Sequence, residues 1–502
     1  MTEKPNDSLI AWLPNLLYLG GKFEGGRALV CDARGEIVNI PPIEKLRDEK
    51  RIRLANRALL PGMINAHSHA FQRVLRGRTE YRTSSHDSFW TWRELMYSAA
   101  TRLSPEDIYD ASRMAFLEMA LGGITTVGEF HYLHHAQNGK PYDDPNLLAK
   151  EVIRAAGDVG LRIALLRVAY VRSGFQTEPN SRQARFIEGD VEEYLKNLEA
   201  LADSVTSRTV KEGQAANRAL ANTRASDTIW VGVAPHSVRA VPLNYLKQVI
   251  GYANERHLKI HMHVAEQPAE VSACVEEYGR TPVALLESEG LLSDRFTAVH
   301  AIHVTPKAIS SFAQTGAMVC ACPTTERNLG DGVVPADEYL RNNVPISLGT
   351  DSHTQIDLLE DARELEYHLR LQRLERAVLS GNPTVRQGVS HEANSTLPNG
   401  RISDTAAHLF DCATINGARS TGAPGGTLEV GKPADFFTVD LDDPTIAGAS
   451  PADLLASIVF SASRVAVREV VVGGKPIVSE GQHLIQEEVI ERFTDLQRRL
   501  WG

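Results

Sequence analysis

Eight short apolar runs, separated by stretches of helical periodicity, constrain this chain more than any other feature. They fall at residues 59–66, 123–127, 162–166, 229–234, 259–264, 296–300, 317–320 and 345–351. Apolar runs that alternate with helices mark βα units around a parallel sheet, whose strands are buried on both faces. Eight such units predict an α/β fold, a (β/α)8 barrel of the TIM type. In that architecture the chemistry sits at the C-terminal ends of the strands.

Four of those ends carry side chains that handle metals or protons. The first run closes as Asn65-Ala66-His67-Ser68-His69. Strand side chains alternate with period two, so both imidazoles leave one face and can reach one cation. The fifth run reads His261-Met262-His263-Val264-Ala265-Glu266, which adds a carboxylate three residues beyond the second imidazole. The sixth ends on His300, and the eighth ends on Asp351 after Gly349. A single strand histidine is more often a hydrogen-bonded core residue than a ligand, and a single Asp after Gly is usually a turn. Coincidence at ends one, five, six and eight points instead to a common centre.

At 502 residues the chain is long enough for a barrel and a satellite domain. Short strand patterns at 11–14, 28–32, 33–38 and 53–55 have counterparts at 435–440 and 467–478, where Gly473-Gly474 is a two-residue hairpin signal. They predict a small discontinuous β-sandwich domain made by both termini. The expected division is 1–60 and 425–502 for that domain, with a terminal helix, and 61–424 for the barrel. Residues 203–228 and 379–403 read as insertions without a chemical motif.

The formal charge of -10 argues against a nucleic-acid partner but leaves room for a local basic pocket. Cys31, Cys274, Cys320, Cys322 and Cys412 are few, odd in number and scattered, which suits a reducing compartment. Cys320-Ala-Cys322 lies in an apolar run and reads as buried strand rather than a thiolate clip. The first residues are polar, and no window is apolar for long enough to cross a bilayer. A cytoplasmic enzyme without a membrane partner is the expectation.

The stretch from Pro61 to His69, and the match that continues to Gly431-Lys432-Pro433-Ala434-Asp435, resemble the amidohydrolase superfamily of metal-dependent barrel hydrolases and deaminases. The resemblance implies a metal held by His67, His69, a strand-five histidine and Asp351. On strand five His263 is preferred to His261, because it stands three residues before Glu266. The binuclear branch uses a strand-four lysine; Val231-Gly232-Val233-Ala234-Pro235-His236 has none, so one divalent ion is implied. Three imidazoles and a carboxylate suit zinc, and ferrous iron also fits.

Four separate blocks resemble one branch of that superfamily, the formimidoylglutamate deiminases of histidine breakdown. They are Ser88-Phe89-Trp90-Thr91-Trp92-Arg93-Glu94, Glu129-Phe130-His131-Tyr132-Leu133-His134-His135, the segment from Ala234 to Val241, and the segment from Cys322 to Gly332. This likeness implies hydrolysis of a small dicarboxylate, N-formimidoyl-L-glutamate. Asp351 would take the proton of the attacking water, His300 would orient it, and Glu266 would protonate the leaving amine. Arg93 and Arg239 would bind the carboxylates, with Gln72, Tyr132 and His236 beside them. The alternatives are an aminohydrolase of the same branch acting on a purine, pterin or cytosine-like ring, and a non-catalytic barrel. The cluster His131, His134 and His135 offers a second-metal reading that is held as the minority view. Barrels of this kind are often dimeric, so a homodimer is allowed for, although no stretch marks an interface.

Overall fold

A computed structural model describes residues 9–81, 89–177, 181–211, 227–380 and 405–502. Eight strands lie in one parallel sheet in strict chain order. They are Met63–Ser68, Ile124–His131, Arg162–Ala169, Ile229–Pro235, Ile260–Val264, Phe296–His300, Met318–Ala321 and Ile346–Leu348. The second and third are buried at every position, as strands covered on both faces must be. Helices between them begin and end on local signals. Pro105–Leu121 starts at a Ser104–Asp107 capping box, and Pro306–Thr315 starts at a Thr305 cap and stops at left-handed Gly316.

The barrel closes between its last and first strands at a narrow seam. Asp351 N–H donates to the His67 carbonyl at 3.0 Å, and His69 N–H donates to the Asp351 carbonyl at 3.1 Å. One layer below, Asn65 Nδ2 donates to Thr350 Oγ1 at 2.7 Å and Asn65 Oδ1 accepts from Thr350 N–H at 3.0 Å. Gly349 makes the approach feasible. A Cβ there would stand 2.6 Å from His67 Cβ and 2.8 Å from the His67 carbonyl oxygen.

Both termini build one mixed sheet of nine strands. Ile10–Leu19 pairs in parallel with Lys50–Pro61, and Phe436–Asp440 pairs antiparallel to the same strand. Trp12 packs edge-on against Phe436 at 5.1 Å, so the two halves share a core. Gly473 and Gly474, both at positive φ, make the predicted two-residue turn between Val467–Val472 and Lys475–Ser479. The apolar run before the His-x-His pair is divided. Its first part belongs to the terminal sheet, and Gly62 marks the passage into the barrel, where a Cβ would meet Thr125 Oγ1 at 2.3 Å.

Helix Val191–Lys211 takes up the start of the 203–228 stretch; 212–226, and residues 381–403 of the second proposed insertion, lie outside the described residues. All five cysteines are free and buried, and Cys320 and Cys322 pack with Ala66 and Val299. Among the described residues no helix is long and apolar enough to cross a membrane.

Candidate active site

Three imidazoles and one carboxylate from strands one, five and eight meet at the C-terminal end of the barrel. His67 Nε2 lies 3.2 Å from His69 Nε2 and 3.1 Å from His263 Nε2. Asp351 Oδ1 lies 3.4 Å from the first and 3.1 Å from the second. All four side chains are buried. His261 shares a strand face with His263 but sits two residues earlier, where its Nε2 faces the Ser420 carbonyl at 3.1 Å. It takes no part in the cluster.

Backbone carbonyls orient two of the rings. His69 Nδ1 lies 3.0 Å from the Phe130 carbonyl oxygen, and His263 Nδ1 lies 3.0 Å from that of His236. A carbonyl accepts only, so Nδ1 carries the hydrogen and Nε2 turns its lone pair inward. Burial, against the pull of Asp351, pushes His67 down to about 3 and keeps it neutral. Burial alone would raise Asp351, yet the His67 and His69 rings set against its Oδ1 leave it well below the usual carboxylate range. Neutral nitrogens crowded around one anion, with lone pairs converging, fit a cation at their midst. Tetrahedral ligands bound at about 2.0–2.1 Å are separated by roughly 3.3 Å, the spacing found here.

Glu266 and His300 stand at the edge of the cluster. His300 Nε2 is 3.7 Å from Glu266 Oε1 and 3.8 Å from Asp351 Oδ2, while Nδ1 is 3.2 Å from Glu326 Oε1. Burial works to lower His300, but Glu266, Glu326 and Asp351 outweigh it and hold the imidazolium well above its ordinary value. Glu266 is raised, chiefly by burial and in part by Asp351, with His300 opposing. Ala265, His300, Ala301, Asp351 and His353 all have positive φ, so strain gathers where the strands end.

A cavity opens from this cluster and is lined by all the residues expected to bind substrate. Gln72 Nε2 donates to Tyr132 Oη at 2.8 Å, and the His236 ring lies 4.8 Å from that of His263. Arg93 stacks on Trp90 at 4.5 Å, and its Nε and Nη1 have no hydrogen-bond partner. Arg239 Nη1 donates to the Ser173 carbonyl at 3.2 Å. Burial, and then the charge of Arg239, push Arg93 below its ordinary value. Two cations are thus held side by side at one cavity wall, and among the described residues neither forms an ion pair with a carboxylate.

The pattern of the amidohydrolase family matches residues 58–477. The chain belongs to that family. It is similar to formimidoylglutamate deiminase of Pseudomonas aeruginosa, at 36% identity over 440 residues that cover 88% of each chain. It is similar at 27% identity to 5-methylthioadenosine/S-adenosylhomocysteine deaminase of Pyrococcus abyssi, over 96% of this chain and 97% of that one. A solved amidohydrolase from Brucella melitensis superposes with a TM-score of 0.83 at 30% identity, covering 99% of this chain and 100% of the other. As an amidohydrolase of the deaminase kind, the chain is a metal-dependent hydrolase of small molecules, and the buried His67, His69, His263 and Asp351 could hold the ion.

The histidines around the end of the second strand stand apart from this cluster. His134 Nε2 and His135 Nε2 face the carbonyls of Val168 and Ile187 at 2.9 and 2.8 Å, and His131 is not among the grouped ligands. That arrangement does not favour a second metal there. Two acidic residues of the quoted blocks have no role assigned from the sequence. Glu326 backs His300, and Glu129 accepts from Ser68 Oγ at 2.5 Å and from Ala70 N–H at 2.8 Å, bracing the turn on either side of His69.

Proposed function

We propose that this amidohydrolase hydrolyses N-formimidoyl-L-glutamate to N-formyl-L-glutamate and ammonia with one divalent ion, zinc in the first place and ferrous iron in the second. The observation that carries the reading is the pair Arg93 and Arg239. Two guanidinium groups without carboxylate partners among the described residues, beside a ligand cluster, suit a substrate with two carboxylates, because guanidinium binds carboxylate bidentately. A neutral nucleobase would leave both cations uncompensated.

The ion, when bound, supplies a lowered pKa for water, from 15.7 to about 7. In this reading Asp351 accepts the proton of the attacking water. His300, backed by Glu326 at its Nδ1, donates from Nε2 to the attacking oxygen and fixes its direction toward the amidine carbon. Glu266 protonates the nitrogen that leaves as ammonia, and its burial, which raises its pKa, favours the protonated form that this task needs. Gln72, Tyr132 and His236 line the cavity around the amidine and keep the substrate in register.

Ammonia release from N-formimidoyl-L-glutamate by the zinc-loaded protein is the direct test, with guanine, cytosine, adenosine and 5-methylthioadenosine as competitors. Release from the glutamate derivative alone supports the reading; release from a ring substrate alone replaces it. Arg93→Met and Arg239→Met should each raise KM about 10–100-fold, the worth of a hydrogen-bonded charge pair, with a smaller change in kcat. An unchanged KM in both variants removes the arginines from the substrate site.

A further inference from the structure

Two tyrosines stand beside the arginines. Tyr97 lies one turn beyond Arg93 on helix Phe89–Ala100, and Tyr170 follows directly on the third barrel strand. Both line the reaction cavity with Arg93 and Arg239. A single buried side chain holds them together. Gln183 sets its Nε2 2.7 Å from Tyr97 Oη and 2.7 Å from Tyr170 Oη, while its Oε1 has no partner.

The hydrogens can be counted. A primary amide has two N–H donors and each phenol has one O–H donor. Gln183 directs both of its hydrogens to the phenol oxygens, and neither phenol hydrogen goes to the unpartnered Oε1. One phenol can donate to the other, so at most one hydrogen is taken within the pair. At least one O–H is left to donate elsewhere, in a cavity that already holds two cations. Burial, with Tyr170 adding to it, pushes Tyr97 up from its ordinary value, so the phenol keeps its hydrogen. An acceptor-rich, anionic group is what such a wall lacks. An O–H donor left unmatched discriminates against ligands that bring only donors or apolar surface.

We infer that Tyr97 and Tyr170, braced by Gln183, form an uncharged donor pair that binds a substrate carboxylate next to Arg93 and Arg239. The inference rests on the dicarboxylate substrate proposed above and adds the residues that complete its anion site. Tyr97 and Tyr170 are binding residues, and Gln183 is a positioning residue that acts through them.

The test uses the zinc-loaded full chain and two readouts, steady-state kinetics with N-formimidoyl-L-glutamate and calorimetric binding of glutarate, which needs no turnover. The double variant Tyr97→Phe with Tyr170→Phe should raise KM about 10–100-fold. It should weaken glutarate by a similar factor, with metal content unchanged and kcat falling less than KM rises. Gln183→Glu, of the same shape but with no hydrogen to give, turns both phenol hydrogens toward itself and should raise KM without either tyrosine being touched. KM and glutarate affinity within twofold of the parent in the double variant overturn the inference, as does a fall in kcat with metal loss at constant KM. If the parent protein releases no ammonia from N-formimidoyl-L-glutamate, the proposed substrate falls. The donor pair is then judged by glutarate alone, supported if the tyrosine variants weaken it and overturned if they do not.

Discussion

Replacing Glu266 by Gln should lower turnover by about 10²–10⁴, the usual worth of a positioned acid-base group, and should leave metal binding unchanged. The substitution keeps size and shape, so the cavity stays as it is. Glu266 is outside the set His67, His69, His263 and Asp351, so no ligand is lost. What disappears is the proton. An amine departs from a tetrahedral carbon only when protonated, and among the residues near His300 and Asp351, Glu266 is the raised carboxyl that faces the cavity. Turnover by rapid ammonia assay and metal content by elemental analysis are the two measurements. Near-normal turnover with full metal would move the acid role to another group; turnover lost together with the metal would make Glu266 a structural support.

Gly349→Ala should cost both stability and metal. The added Cβ would lie 2.6 Å from His67 Cβ, 2.8 Å from its carbonyl oxygen and 3.0 Å from its nitrogen. None of these is the free end of a flexible side chain, so strand eight must withdraw from strand one. Overpacking of this kind costs about 1–3 kcal/mol. Withdrawal also stretches the two backbone hydrogen bonds between Asp351 and the His67–His69 turn, which carries carboxylate and imidazoles apart. Affinity for zinc should fall about 10–100-fold, on the scale of losing a residue that orients a ligand. Thermal unfolding with and without zinc, and metal retained after dialysis against a chelator, would show it. Parent-like values on both counts would mean that the seam has slack which the close contacts deny.

The barrel is legible in the sequence because a parallel strand covered on both faces leaves a continuous apolar run, as in Ile124–His131 and Arg162–Ala169. Ligands are legible where the chemistry lies in the strand's own alternation, as for His67, His69 and His263. Strand five shows the limit of that rule. Period two places His261 and His263 on one face, and only depth along the barrel axis separates the ligand from the residue that bonds Ser420. Glu326, Glu129, Tyr97 and Tyr170 lack a local pattern. Their roles depend on which helix docks over which strand end, and no spacing along the chain records that. The close approach at Gly349 is hidden for the same reason, since it exists only once the eighth strand has come round to the first.

That meeting has a consequence for biosynthesis. Asn65 and Thr350, which clasp each other beneath the ligands, are 285 residues apart in the chain. A growing polypeptide therefore carries its first two imidazoles for most of translation before the carboxylate that completes the set emerges. A bound ion would rivet a ring that closes only once the eighth strand has been made. Metal capture by the full set would then have to wait for the eighth strand, and a product cut short before Asp351 would lack the carboxylate.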